Sequence, residues 1–410
     1  MEVVSLFAGI LISSNERHGR DDLMFRSNQQ QKRILLTVIT VFWFSQYIYI
    51  PYQATYLTSI GVVPSLIGLI VGAYGFSQLA LRMPIGLMAD RKARHKPFIL
   101  LGILLAGTAS LFRILLPNEW GYLIGSILSG CASAMWISFM ILFFSYYEKE
   151  QLQQASGLAV GANNFGILIG FLAGTLLHEK YGMQLLCALS FLLAIPAFLL
   201  SFFLKEADTG EDALPVKELV QVYFNKRLIV FSLLALIQQG VQLSTSMSFT
   251  TKIAQSRGAS SVQIGICSII YILTAVISSY FTASKAAQKA GARIWIPVIL
   301  LCLAAYCILL PNLPTVEWIC AAQILSGLST GILFSFCTSE AMKDIPKAKS
   351  STAMGFYQAV YAIGMTTFPM ITGAVTGQFN IRTAYYVLAG ITVVGLAGAI
   401  RFYSGQKATE

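Results

Sequence analysis

The sequence predicts an all-α membrane protein, with twelve transmembrane helices in two six-helix pseudo-symmetric halves. Three observations carry that prediction. Charge is scarce, at 11% of 410 residues against roughly 25% in soluble domains. Hydrophobic residues make up 56% and arrive in blocks of about 20, the length a helix needs to cross a hydrocarbon core of about 30 Å. The second half of the chain also repeats short stretches of the first.

The spans follow in order. Span 1, near 34–55, leaves a basic arm and carries Trp43, Gln46, Tyr47 and Gln53; span 2, near 64–87, holds Arg82. Span 3, near 97–115, has Arg113 toward its outer end, and span 4, near 120–146, contains ILSG at 127–130. Spans 5 and 6, near 154–177 and 183–204, include Asn163, Asn164 and a run of glycines. After the acidic segment 205–227, span 7 (228–250) brings Gln238, Gln239 and Gln242, followed by spans 8 (261–283) and 9 (294–310). Span 10 (317–339) carries Gln323 and a second ILSG, span 11 (351–375) carries Gln358 and Tyr361, and span 12 (383–401) completes the set. The expected organisation is a cytoplasmic arm 1–33, a bundle 34–204, a cytoplasmic linker 205–227, a bundle 228–403 and a cytoplasmic tail 404–410.

Net charge is +10, but its placement matters more than its size. The N-terminal arm, the even-numbered loops and the C-terminal tail hold 22 of the 28 Lys and Arg. That asymmetry is the positive-inside pattern, and it predicts both termini in the cytoplasm of an inner-membrane protein. The basic balance therefore implies no nucleic-acid partner; the lipid bilayer is the partner it implies. Within the first 23 residues, VVSLFAGILI is too short to span and lacks the basic flank of a signal peptide, so translation is expected to start at Met24.

All seven cysteines (131, 187, 267, 302, 307, 320 and 337) fall in apolar spans without CxxC spacing. They read as small buried apolar residues, neither disulfides nor metal ligands. No metal or cofactor is implied.

Shifting the sequence by about 198 residues aligns ILSG at 127–130 with ILSG at 324–327, and Gly157 and Gly166 with Gly355 and Gly364. Copies separated by an even number of spans keep their orientation, so the halves are expected to relate by an axis along the membrane normal. Such halves can enclose a cavity at mid-depth that opens to one side and then the other.

The loop after span 2 reads Gly86-Leu87-Met88-Ala89-Asp90-Arg91-Lys92-Ala93-Arg94-His95-Lys96. It resembles the Gly-x-Leu-Ala-Asp-Arg-x-Gly-Arg-(Arg/Lys) loop of the major facilitator superfamily, with Gly86, Ala89, Asp90, Arg91 and Arg94 matching. Met88 and Ala93 depart from it, and the second-half copy, residues 284–293, lacks the acid. The resemblance covers about residues 33–403. It implies a secondary transporter acting by alternating access, with Gly86, Asp90, Arg91 and Arg94 in a gating motif that latches the cytoplasmic side.

Polar side chains within spans are costly and tend to face an interior or a cavity. Candidates for the substrate cavity are Trp43, Gln46, Tyr47, Asn164, Gln238, Gln239, Gln242, Gln323, Gln358 and Tyr361. Arg82 and Arg113 are expected to snorkel to the interfaces; the sharper alternative is Arg82 as an anion contact, although a phosphate or carboxylate substrate usually needs more than one such cation. Trp136, Met135 and Met140 are read as packing or lipid-facing residues. No acid sits securely at mid-depth; if a proton is the coupling ion, Glu148 and Glu340 are the carriers available. A membrane-embedded enzyme would need a cluster of catalytic side chains at depth that this sequence lacks, and no GxxxxGK[ST] is present for ATP. The expected function is export of a neutral or amphipathic small organic solute by a monomer. The alternatives are an uptake permease for a sugar or other small polar metabolite, supported by the span 7 glutamines, and a transport-inactive solute sensor.

Overall fold

The computed structural model describes residues 20–62, 64–92, 94–206 and 215–407. A start at Met24 and the middle of the acidic linker concern residues that lie largely outside this set. The described chain is helical throughout, without a strand. Ten helical stretches are long and apolar enough to cross a bilayer. One of these, Leu152–Ser201, contains spans 5 and 6, separated at Gly182, whose φ of 71° ends one helix and starts the next. Span 2, Pro64–Lys92, brings the total to twelve.

Four spans are interrupted, at matching places in the two halves. Span 1 breaks between Arg20–Tyr47 and Ile50–Ser59, where Pro51 offers no N–H to continue the ladder. Span 7 passes through a π-helical turn, Thr245–Phe249, at the corresponding depth. Span 4 breaks at Met135, and span 10 has a π turn over Ser329–Leu333. Such irregularities concentrate at functional sites, because they free backbone groups and redirect side chains.

The repeated glycines now have a physical role. A Cβ on Gly166 would stand 3.1 Å from the Phe44 nitrogen, and one on Gly364 would stand 3.0 Å from the Leu236 carbonyl carbon. These two glycines let spans 5 and 11 press against the first span of their own half. Their partners nine residues earlier face the other half: Gly157 lies against Ser279 and Ala283 of span 8, and Gly355 against Arg82 and Gly86 of span 2. The repeated ILSG ends in Gly130 and Gly327, which pack on Ser77 of span 2 and Thr274 of span 8. Small residues at these points allow helix backbones to approach closely, the main source of association in lipid.

Two expectations are corrected here. Cys267 and Cys320 form a disulfide joining spans 8 and 10, with Cα atoms 4.4 Å apart. Spacing along the chain carried no sign of it, because the two residues meet only when two helices pack. Cys131 and Cys302 are half-buried rather than sealed in the interior. Trp136, Met135 and Met140 are buried packing residues and do not face lipid.

Candidate functional site

The two halves meet along two helix pairs, span 2 with span 11 and span 5 with span 8. Both pairs are tight at the face that carries the basic loops and splay toward the opposite face. On the first pair, a Cβ on Gly86 would lie 3.2 Å from the Gly355 Cα. Farther out, a Cβ on Gly75 would find Thr366 at 3.5 Å, and one on Gly72 would find nothing within 4 Å. On the second pair, a Cβ on Gly157 would stand 2.9 Å from the Ala283 nitrogen, whereas one on Gly265 would reach only Thr175 at 4.0 Å. At these glycines the two pairs approach most closely at the basic face, where a cavity lined by His95, Phe144, Tyr147, Met342, Lys347 and Ser350 lies between the halves.

Asp90 supplies the directed part of the seal. It lies three residues beyond the apolar span 64–87, at the end of its helix. Its Oδ1 accepts a hydrogen bond from the Ser351 N–H at 2.8 Å, and its Oδ2 accepts one from the Thr352 N–H at 2.6 Å. Those are orphan N–H groups of the first turn of span 11, Ser350–Gln378, which intrahelical bonding leaves free. Burial pushes the Asp90 carboxyl above its ordinary range, opposed by the bonds from Thr352 and Ser351. The contact between span 2 and span 11 here consists of two directed bonds.

The rest of the motif is placed differently. Arg91 and Arg94 are exposed and take part in no ion pair among the described residues. Behind them Glu206, at the end of the first bundle, accepts bonds from the His95 and Lys96 N–H groups at 2.9 and 2.6 Å. The His95 imidazole is buried, and burial pulls it down to about 4.

Between the tight end and mid-depth, further bonds join the halves. Ser156 donates to the Ser335 carbonyl at 2.9 Å, and Asn164 donates to the Ser279 hydroxyl at 2.9 Å. Arg82, only 2% exposed, donates to the Gln358 carbonyl at 2.7 Å and to Gln78, with its guanidinium 4.5 Å from the Tyr361 ring. Snorkelling is thereby overturned for Arg82: it turns into the seam. Arg113, also 2% exposed, turns inward as well, lying 4.3 Å from the Tyr49 ring and donating to Ser129 at 3.1 Å.

Above Arg82 the candidates from span 1 and span 7 come together. Tyr47 lies beside Tyr74 and near Tyr271 of span 8. Tyr271 shares a hydrogen bond with Thr330 at 3.0 Å and lies beside Gln242, which accepts from Gln238 at 3.0 Å. Tyr74 reaches Ser133 at 3.0 Å, and Gln46 donates to the same hydroxyl at 3.1 Å. Trp43 packs on Tyr47 and edge-on to Trp136. The result is an aromatic and amide lining shared by both halves, in which Tyr47, Tyr74 and Gln242 keep partial exposure; Gln239 is half-buried beside it in sequence, with no contact to the lining among the described residues.

Three candidates sit elsewhere. Gln323 is sealed inside the second half, accepting from Ser246 at 3.0 Å and Tyr306 at 2.9 Å. Glu340 is ion-paired with Arg227 near the basic face, and Glu148 is exposed there, so neither borders the lining. Sequence reasoning missed Tyr74, Gln78 and Tyr271 as lining residues. A polar stripe Tyr74-Gln78-Arg82, with four-residue spacing on one helical face, was the available signal.

The family described as the Major Facilitator Superfamily matches residues 35–251 and again 232–408. The chain is 22% identical over 374 residues to the inner membrane transport protein YajR of Escherichia coli, covering 88% of this chain and 81% of that one. It is 25% identical over 350 residues to a multi-drug resistance efflux pump PmrA homolog of Lactococcus lactis, covering 82% and 85%. Its fold is similar to that of the human organic anion transporter MFSD10, with a TM-score of 0.76 at 14% identity, over 90% of this chain and 99% of that chain. The double match agrees with the two six-helix halves and the glycine repeat, and the relatives are transporters rather than enzymes. The chain belongs to the Major Facilitator Superfamily.

Proposed function

We propose that the protein exports amphipathic organic solutes across the inner membrane by alternating access, with its basic face and both termini in the cytoplasm. The observation that carries this reading is the graded spacing of both inter-half helix pairs, tight at the basic face and loose at the other. We read that spacing as a state in which the cytoplasmic side is the more closed of the two. The Asp90 bonds to span 11 support it as a breakable latch, since they are made to the other half and vanish when the face opens.

The lining supports the solute class. Trp43, Tyr47, Tyr74, Tyr271 and Tyr361 offer apolar faces with polar tips, and Gln242 adds an amide, the mixture expected of a pocket for amphipathic compounds. Similarity to a multi-drug resistance efflux pump homolog supports outward transport, and similarity to YajR supports the inner membrane. Purified protein in liposomes, loaded with amphipathic dyes, organic acids and sugars, tests the reading. Accelerated flux of amphipathic compounds is expected, and its response to an imposed proton gradient reads the coupling. Flux of sugars alone would replace it with the permease reading.

A further inference from the structure

Span 2 buries a cation that the protein does not neutralise. Arg82 is 2% exposed, and its described bonds go to the Gln358 carbonyl and the Gln78 side chain, both uncharged. Its Nε–H is buried without a partner, and so is the Nε2 amide of Gln78 one turn away. Neither Arg82 nor Arg113 has a carboxylate partner among the described residues. The acid on the same helix, Asp90, lies eight residues on, about 12 Å at 1.5 Å per residue, and is committed to Ser351 and Thr352. Leaving a guanidinium uncompensated in a low-dielectric interior is strongly unfavourable, and a buried donor without an acceptor adds to the cost.

The second half shows what a neutral solution looks like. Its polar knot of Ser246, Thr250, Tyr306, Gln323, Ser326 and Tyr385 is closed by hydroxyl and amide bonds of 2.6 to 3.0 Å, with no cation in it. The equivalent region of the first half is built around Arg113, whose Nε and Nη1 are also buried and unpaired. Unmet donors of positive character are thus concentrated in the first half.

We propose that Arg82 and Gln78 form the anion-binding pole of the transport site, so that the solute is an organic monocarboxylate with an apolar body. The carboxylate takes the Nε–H of Arg82 and the amide N–H of Gln78, while the Arg82 Nη atoms keep their bonds to Gln358 and Gln78. The body lies against Tyr361, whose ring already faces the guanidinium, and against Tyr74 and Tyr47 beyond it. Two of the five guanidinium N–H groups are used by Gln358 and Gln78, and the single positive charge matches a monoanion more closely than a dianion. This inference rests on the transporter reading above and specifies its substrate.

The test uses full-length purified protein and three matched probes, naphthalene-2-carboxylate, its carboxamide and the corresponding methylamine, with aliphatic monocarboxylates of four to twelve carbons alongside. Thermal stabilisation at pH 7 reads binding, and competition reads flux in liposomes. A carboxylate preference of at least about tenfold over the amide is expected, the gap between charge-assisted and neutral hydrogen bonds. Arg82→Gln should abolish the preference. Should that variant fail to fold, Gln78→Glu keeps the shape, supplies an internal counter-ion, and should raise thermal stability while abolishing carboxylate binding. Equal binding of amide and carboxylate, no effect of any monocarboxylate, or a preference that survives Gln78→Glu each overturns the proposal. Flux of neutral or cationic dyes that carboxylates do not inhibit overturns it while leaving the transporter reading intact; absence of flux for every compound overturns that reading too.

Discussion

Asp90→Asn separates a latch from a mere loop residue. The carboxylate offers one acceptor to the Ser351 N–H and a second to the Thr352 N–H. An asparagine can keep only one of them and must turn its NH₂ toward the other donor. The loss is one buried bond plus an unmatched donor, about 1–3 kcal/mol, or roughly a 5- to 150-fold fall in the ratio of closed to open basic face. The perturbation acts only on the closed state, because the bonds cross between halves. Spin labels at the exposed positions Glu150 and Lys347 read the separation of the halves on that face by double electron–electron resonance. The variant should move population from the short to the long distance and slow transport, with equilibrium solute affinity changed by less than about tenfold. An unchanged distance distribution would refute the latch, whatever happens to transport.

Other substitutions test neighbouring parts of the design. Gly355→Val should overpack the seam against Arg82 and Gly86 by about 1–3 kcal/mol and open the same face, whereas Gly166→Val should lower the melting temperature without changing the label distance, because its contacts lie within one half. Gln242→Ala removes the bond to Gln238 and should weaken solute binding by about 2- to 12-fold, the worth of one hydrogen bond; isothermal titration reads it. His95 is held down at about 4 by burial, below its ordinary value of about 6.5. Between those values the unfolded chain takes up a proton that the folded one refuses. The stability is therefore present above pH 6.5 and is lost as pH falls toward 4, by about 3 kcal/mol in all. Melting curves across that window should fall more steeply for the natural protein than for His95→Gln.

Much of this was legible in the sequence, and the reasons differ by residue. Hydropathy and length determine that a block such as 97–115 is a helix in lipid, since only an internally bonded backbone tolerates that solvent. The spacing of Gly157 and Gly166, repeated at Gly355 and Gly364, already marked the two halves, and the Gly-x-x-x-Asp-Arg loop already marked the family resemblance. What a side chain meets across the bundle was not legible. Arg82 near a span end reads as a snorkelling cation, because the alternative depends on Gln358, 276 positions away. Asp90 reads as a partner for a helix end or a basic residue, and the structure takes the first option: it serves two backbone N–H groups of the helix that begins at Ser350. Cys267 and Cys320 are 53 residues apart and acquire a relationship only when spans 8 and 10 pack. The one-dimensional pattern determines which segments are long and apolar enough to enter the membrane, because each helix satisfies its own backbone there. Which polar groups find partners, and which buried cation is left without one, is decided by helix packing, because in lipid the partner must come from another helix.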